Sequence, residues 1–128
     1  MQHTEEQEQI FVFAWARLHE NAYPELRLLH HIPNGGKRTK AEAARFKAAG
    51  VKAGVPDICL PVARHGFHGL YIELKAKKGK VSDHQANWIF ALQQQGYQAV
   101  VCYGAEAATD VIRVYLGIAR DRAWGEQQ

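Results

Sequence analysis

The chain has 128 residues, of which 47% are hydrophobic and 23% are charged, and these are the proportions of a globular protein with one domain. The longest apolar run, 10–16, is too short to cross a bilayer, and the acidic first residues lack the basic segment of a signal peptide, so we expect an intracellular protein. Two cysteines without a CxxC spacing and seven scattered histidines exclude the usual zinc-site patterns.

The first half of the chain predicts two helices with a strand between them. A helix over 4–21 has Thr4 as its N-cap and ends before Pro24. The apolar segment 26–33 is bounded by proline and predicts a strand, and the following "NGG" predicts a turn. The segment "TKAEAARFKAAG" predicts a short basic helix that begins after Thr39.

The second half predicts a hairpin followed by a crossover. Strands over 57–63 and 70–76 are joined by "RHGFHG". Because Pro61 has no N–H, the first of these strands should lie at a sheet edge or be bulged there. A helix over 82–96, a strand over 97–103 and a helix over 105–116 complete the chain. The order α-β-α-β-β-α-β-α predicts an α/β fold with a mixed central sheet flanked by helices.

Positive charge is concentrated in two segments, although the net charge is a modest +3. Ten of the sixteen lysines and arginines lie in 37–52 and 75–80, whereas acidic residues gather near the start. Clustered cations beside glycines favour a phosphate backbone, because neutralised phosphates release counterions. A basic face that serves solubility would have the same pattern, and charge alone does not choose between these interpretations.

Three charged residues lie in the otherwise apolar hairpin, namely Asp57, Glu73 and Lys75. Glu73 and Lys75 are two apart in a strand and therefore share a face. If the turn centres on His65, the numbers of paired residues sum to 130 and Asp57 faces Glu73; a turn centred between two residues would send Asp57 to the other face. Facing carboxylates need a cation between them, and oxygen ligands favour Mg²⁺ or Mn²⁺. A plain cross-strand salt bridge with the lysine is the alternative.

The motifs "PD" and "ELK" resemble the signature of the PD-(D/E)XK nuclease superfamily. The wider stretches "HIPNGGKR", "EAARFKAAGVKAGVPDICLPVARHGFHGLYIELKA" and "GKVSDHQANWIFALQQQGYQAVVCYGAEAATDVI" resemble the VRR-NUC family, in its small stand-alone form from bacteriophages and bacteria. The likeness runs from about Glu5 to Leu116. It implies one restriction-endonuclease-like domain over 1–116, followed by a tail, 117–128, in which we find no interpretable pattern.

The resemblance also implies a catalytic centre. Asp57, Glu73 and the backbone carbonyl of Leu74 would bind Mg²⁺ or Mn²⁺, while Lys75 would orient or activate the attacking water. A first-helix acid would assist through a water or a second metal; Glu5 fits this role best and Glu8 is its rival. Gln85 would face the same site, although Ser82 and Gln85 also form the pattern of a capping box, and both interpretations stay open.

DNA contacts are expected from the loop beside this centre and from the two basic segments. The candidate residues are Asn34, Gly35, Gly36, Lys37, Arg38, Lys40, Lys52, Lys77, Lys78 and Lys80. The loop is not a nucleotide-binding P-loop, because Arg38 stands where that motif has Ser or Thr. No aromatic stacking platform is apparent.

The activity implied by the resemblance is metal-dependent cleavage of branched DNA, such as Holliday junctions, by a homodimer acting in a bacterial host. Two other classes remain open. One is a DNA-binding module in which Asp57, Glu73 and Lys75 form no more than a salt bridge. The other is an HNH-type nuclease that uses His30, His31 and Asn34.

Overall fold

The structure is a computed structural model that describes residues 2–33 and 38–120. Its elements are α1 (Glu5–His19), a 3₁₀ helix (Pro24–Leu28), β1 (His30–His31), α2 (Lys40–Ala48), β2 (Ile58–Leu60), β3 (Leu70–Lys75), α3 (Asp83–Gln94), β4 (Gln98–Tyr103) and α4 (Ala105–Leu116). The predicted order of helices and strands is confirmed, with the 3₁₀ helix as an addition. None of the helices in these two ranges is long and apolar enough to cross a membrane.

Three helices begin with the caps that the sequence predicts. Thr4, Thr39 and Ser82 each accept a hydrogen bond from the backbone N–H three residues later, and the side chain at that later position bonds back to the cap. Such reciprocal bonds satisfy N–H groups that have no partner within the helix. The short polar caps therefore determine where α1, α2 and α3 start.

The strand predicted over 26–33 is mostly wrong. Only His30 and His31 pair in the sheet, and the chain before them forms the 3₁₀ helix, with Pro24 at its first position. Proline suits that position because its ring fixes φ and it has no N–H to satisfy. The apolar character of the segment comes from Leu26 and Leu29, which are buried in the core.

The position of Pro61 also differs from its prediction. Strand β2 lies inside the sheet, between β1 and β3, and shows neither the expected edge nor a bulge at the proline. The strand instead ends at Leu60, immediately before Pro61. Ending the strand there removes the need for an N–H that proline cannot supply.

The sheet has the order β1-β2-β3-β4, with β1, β2 and β3 antiparallel and β4 parallel to β3. Ile58 pairs with Ile72, Cys59 with Tyr71 and Leu60 with Leu70. These numbers sum to 130, so the predicted register of the hairpin is confirmed. His65 lies in the connection with φ of 55°, a left-handed conformation typical of tight turns.

One face of the sheet forms the hydrophobic core. Its buried residues are Ile58, Leu60, Leu70, Ile72, Leu74 and Cys102, which pack with Val12 and Ala16 of α1 and with Ala108, Ile112 and Tyr115 of α4. Helix α3 packs against β4 and contributes no fully buried residue. Because side chains alternate along a strand, Asp57, Glu73 and Lys75 project from the opposite face of the sheet.

Candidate metal and catalytic centre

Asp57 and Glu73 face each other across the hairpin. Asp57 stands one position before β2, and the register of β2 with β3 continues to place it opposite Glu73. One carboxylate oxygen of Asp57, Oδ2, accepts a hydrogen bond of 2.9 Å from the backbone N–H of Leu74. The structure thus brings together the two acids that the sequence paired.

A tight approach to α3 holds the segment that carries Asp57. Gly54 has φ of 94°, and a β-carbon on it would lie 2.7 Å from the backbone carbonyl of His84. Real β-carbons do not come that close to a backbone carbonyl, so glycine is required on both grounds. A hydrogen bond also holds the backbone of Asp57, because its carbonyl oxygen accepts from the N–H of Ile32 at 2.6 Å.

Glu73 is a buried carboxylate with an unusual affinity for a proton. Its side chain is almost fully buried, with 1% of the residue exposed. Burial, followed by the charge of Asp57, raises the pKa of Glu73 to about 8, although the nearby Lys75 ammonium acts in the opposite direction. Without a further cation, this glutamate therefore holds a proton at neutral pH.

One oxygen of Glu73 has no hydrogen-bond partner. Within the described residues, Oε1 is buried and unpaired, whereas Oε2 lies 3.6 Å from Nζ of Lys75. When Glu73 is ionised, a buried acceptor without a partner costs free energy, and a bound cation would satisfy it. This unpaired oxygen and the second carboxylate beside it could hold a divalent metal.

The backbone of Leu74 supplies a third oxygen at the same edge. In an extended strand the N–H and C=O of one residue point to the same side, and the Leu74 N–H points at Asp57. The Leu74 carbonyl therefore lies on the edge of β3 that carries the acids. No group of three His, Cys, Asp or Glu side chains suited to a metal occurs in 2–33 and 38–120. Two carboxylates and a carbonyl match Mg²⁺ or Mn²⁺, which keep several waters.

Lys75 completes the centre, and Glu5 lies next to it. Lys75 is 6% exposed. Its Cδ and the Oε2 of Glu5 each lie 3.2 Å from the position that a β-carbon on Gly79 would occupy. The absence of a side chain at Gly79 thus allows the first turn of α1 to come close to Lys75.

Glu8 has a different environment. Its Oε1 accepts a hydrogen bond of 2.8 Å from the N–H of Ala105, the first residue of α4, and its Oε2 lies 3.4 Å from Nδ1 of His3. Helix α4 has no side-chain cap of its own, so Glu8 takes that role from another helix. Of the two rival acids, Glu5 is therefore the one that reaches Gly79, which the Lys75 side chain also approaches.

Gln85 forms hydrogen bonds with Ser82 at the N-terminus of α3. Its Oε1 accepts a hydrogen bond of 2.9 Å from the N–H of Ser82, and its own N–H donates to the Ser82 hydroxyl at 3.2 Å. The capping box is thus confirmed, and it fixes the orientation of the Gln85 amide. A contribution of Gln85 to catalysis stays a prediction.

The candidate DNA contacts are on the surface, as binding to phosphates requires. Lys40, Lys52, Lys77, Lys78 and Lys80 are exposed, and Arg38 is half-buried with its guanidinium 4.3 Å from the centre of the Phe46 ring. Helix α2 has no buried residue. The remaining candidates, Asn34, Gly35, Gly36 and Lys37, lie outside the described residues.

The two histidines of the HNH alternative are engaged with the backbone. Nδ1 of His30 is bonded to the carbonyl of Leu28, and Nδ1 of His31 to the carbonyl of Asp57, each at 2.9 Å. Carbonyl oxygens only accept, so both Nδ1 atoms carry the proton. Both side chains are exposed, and the third member, Asn34, is outside the described residues.

Two residues near the centre were not singled out by the sequence. Gly79 admits Glu5, and Tyr103 pairs in register with Lys75. The "KKGK" pattern shows a glycine among lysines but not what approaches it. Strands β3 and β4 are parallel and are joined by a crossover of more than twenty residues. The residue numbers alone therefore do not show which residues of β3 and β4 pair, as they did for the hairpin.

The fold is an α/β domain whose mixed sheet carries two carboxylates and a lysine on adjacent strands. The family model for the VRR-NUC domain matches residues 3–106, and the chain belongs to this family. A solved structure named "VRR_NUC domain protein" is similar to it, with 34% sequence identity, 91% coverage of each chain and a TM-score of 0.78. Among curated proteins, none matches this chain.

Proposed function

We propose that the protein is a Mg²⁺- or Mn²⁺-dependent DNA endonuclease that cuts branched DNA. The observation that carries this proposal is the buried acid pair, Asp57 and Glu73, with one oxygen unpaired and Lys75 beside it. A nuclease-type family supports the reaction class. Asp57, Glu73, the Leu74 carbonyl and, from α1, Glu5 would hold the metal.

The alternative of a plain salt bridge accounts poorly for Glu73. A carboxylate whose charge is balanced by a lysine has a lowered pKa. Here the pKa of Glu73 rises to about 8 despite Lys75. One lysine can balance only one of the two carboxylates, whereas a divalent cation would balance both.

Each residue of the centre has a task in phosphodiester hydrolysis. A bound Mg²⁺ or Mn²⁺ would lower the pKa of a coordinated water and neutralise charge that develops at phosphorus. The Lys75 ammonium, held by Glu73, orients the attacking oxygen and stabilises negative charge on the phosphate. The water oxygen loses a proton to solvent and forms the new bond to phosphorus, a P–O ester bond breaks, and the leaving oxygen takes up a proton from solvent.

The exposed lysines extend the binding surface beyond the centre. Lys77, Lys78 and Lys80 follow β3, while Lys40 is the first residue of α2 and Lys52 comes after that helix. These cations bind the phosphate backbone, which positions DNA without reading its sequence. Shape therefore selects the substrate, and a homodimer with two centres suits the two scissile strands of a four-way junction. Such a substrate would place the protein in the cytoplasm of a bacterial host.

Cleavage of labelled four-way, flap and linear DNA, with and without Mg²⁺ or Mn²⁺, tests the proposal. We expect metal-dependent nicking that is at least ten-fold faster on branched DNA. Asp57→Ala, Glu73→Ala and Lys75→Ala should each abolish nicking while binding to a four-way junction, measured by gel shift, stays largely intact. Glu6→Ala, which removes an exposed acid of the same helix turn as Glu5, should leave both properties unchanged.

Other outcomes point to specific errors. Full activity in any of the three variants refutes its assigned role. Junction binding by the wild type without cleavage in Mg²⁺ or Mn²⁺ favours the binding module. Loss of cleavage in His30→Ala, with activity retained in Glu73→Ala, favours the HNH mechanism. A mass in solution equal to the 14.4 kDa of one chain, rather than twice that value, refutes the homodimer.

A further inference from the structure

Tyr103 lies beside Lys75 on the face of the sheet that carries the acid pair. It is the last residue of β4, and the parallel register pairs it with Lys75. The preceding pair, Leu74 and Cys102, is buried in the core. Because side chains alternate, Tyr103 and Lys75 both project from the other face, on strands that lie about 4.8 Å apart.

Nothing in the described fold uses the Tyr103 side chain. It is 51% exposed, and within 2–33 and 38–120 neither a hydrogen bond nor a ring contact engages it. Other tyrosines differ: the hydroxyl of Tyr115 donates to the Val62 carbonyl at 2.6 Å, and the ring of Tyr71 meets that of Tyr97 edge to face. An exposed aromatic ring beside a candidate centre, without a structural partner, is available to a ligand.

The backbone fixes Tyr103 relative to Lys75. The N–H of Gly104 donates to the carbonyl of Lys75 at 2.9 Å, directly after the paired residues. Gly104 has φ of 93°, which turns the chain into α4, and Glu8 binds the next N–H. The ring is therefore carried by a rigid strand end, and little ordering is needed when a ligand contacts it.

We propose that Tyr103 stacks on an unpaired nucleobase next to the phosphate that is cut, and so selects DNA in which that base has left the helix. This rests on the proposed nuclease function. The faces of a base inside a continuous duplex are covered by its neighbours, whereas a base at a branch or a flap offers a free face. The tyrosine thus supplies the aromatic platform that was not apparent in the sequence, at one position rather than as a row.

Paired substrates that differ at one position test the proposal by kinetics. After the cut site is mapped with wild-type protein, two DNAs are made in which the base beside the cut is either paired or unpaired. Tyr103→Ala should reduce kcat/KM on the unpaired substrate by about 5- to 150-fold, the effect of one lost stacked base, and should change the paired substrate little. Tyr103→Phe should keep the wild-type rate. Phe11→Ala, which removes a 47% exposed ring from the helix on the core face, is the control.

A binding measurement separates this proposal from the nuclease function. In a Glu73→Gln background, 2-aminopurine placed in turn at each position around the branch reports stacking through its quenched fluorescence. We expect quenching at one position that Tyr103→Ala abolishes and Tyr103→Phe preserves. If this quenching is observed but the wild-type protein shows no metal-dependent cleavage, the nuclease function is refuted and the stacking site is still supported.

Three outcomes overturn the stacking proposal while leaving the nuclease function intact. The first is cleavage without Tyr103-dependent quenching at any position. The second is an equal loss of rate on paired and unpaired DNA in Tyr103→Ala. The third is an equal loss in Tyr103→Phe and Tyr103→Ala, which would assign the hydroxyl to a phosphate contact instead.

Discussion

The charge of Glu73 should make the metal-free protein less stable as the pH rises, and Glu73→Gln should remove this effect. The folded protein holds a proton on Glu73 up to about pH 8, whereas the unfolded chain releases it near 4.5. Between these values the folded state binds one more proton than the unfolded state. The contribution of Glu73 to stability is therefore fully present below about pH 4.5 and is lost as the pH rises from there through 8.

The size of the effect follows from the two pKa values. Each pH unit between 4.5 and 8 contributes about 1.4 kcal/mol, so the complete change is on the order of 5 kcal/mol. Its physical origin is the loss of hydration of a buried carboxylate, to which the charge of Asp57 adds. Glutamine keeps the shape and the hydrogen-bonding oxygen of the side chain but has no charge to bury.

Urea denaturation in EDTA, from pH 5 to pH 9, measures the free energy of unfolding of the wild type and of Glu73→Gln. The difference between the two proteins isolates Glu73, because the other titrating groups are shared. We expect the free energy of unfolding of Glu73→Gln to increase steadily relative to that of the wild type up to about pH 8. At pH 9 the variant should be the more stable protein. Glu6→Gln, at an exposed position, should run parallel to the wild type. Parallel curves for Glu73→Gln as well would refute the argument that Glu73 is protonated in the fold.

Three further predictions concern the metal and the supports of the centre. Because a metal must displace the Glu73 proton, Mn²⁺ affinity measured by calorimetry should rise about ten-fold per pH unit from 6 to 8 and then level off; a flat profile contradicts this. Gly54→Ala should lower the free energy of unfolding by about 2–4 kcal/mol and impair cleavage. Gly50→Ala, with a similar φ and no atom within 4 Å of the added β-carbon, should lower the free energy of unfolding by about 1–2 kcal/mol. Equal losses in the two variants would show that the contact of Gly54 with α3 is unimportant. Glu8→Ala should cost about 1–3 kcal/mol in urea denaturation through the lost bond to Ala105, Glu8→Gln should recover part of it, and unchanged stability in Glu8→Ala would contradict the capping role.

The hairpin was predictable because its charges restrict the register. Only a register with an odd centre or a bulge places Asp57 opposite Glu73, and the pairing that sums to 130 satisfies this condition. The caps Thr4, Thr39 and Ser82 were predictable for a similar local reason, since each pattern spans four residues. Features that depend on residues close together in the chain can therefore be predicted from the sequence.

Features that depend on docking between distant elements were not predictable. The apolar residues of 24–29 fit a strand or a short helix equally well, and burial against the core selects the helix. Glu5 and Glu8 are three apart in one helix and look equivalent, but the orientation of α1 brings one to Gly79 and the other to Ala105. The position of Tyr103 depends in the same way on how the crossover aligns β4 with β3.

The location of the centre follows from the parallel pair of strands. Both β3 and β4 end at the same level, with Lys75 and Tyr103, and ligand sites in α/β proteins form where strands present their carboxyl ends. Lys75 is the last residue of β3, and Glu73 lies two residues before it on the same face of the sheet. The chain then has to be held in place by other means, and Gly54 against α3, Gly104 on Lys75 and Glu8 on α4 do this. A rigid backbone around Asp57, Glu73 and Lys75 is the arrangement that would position reacting groups.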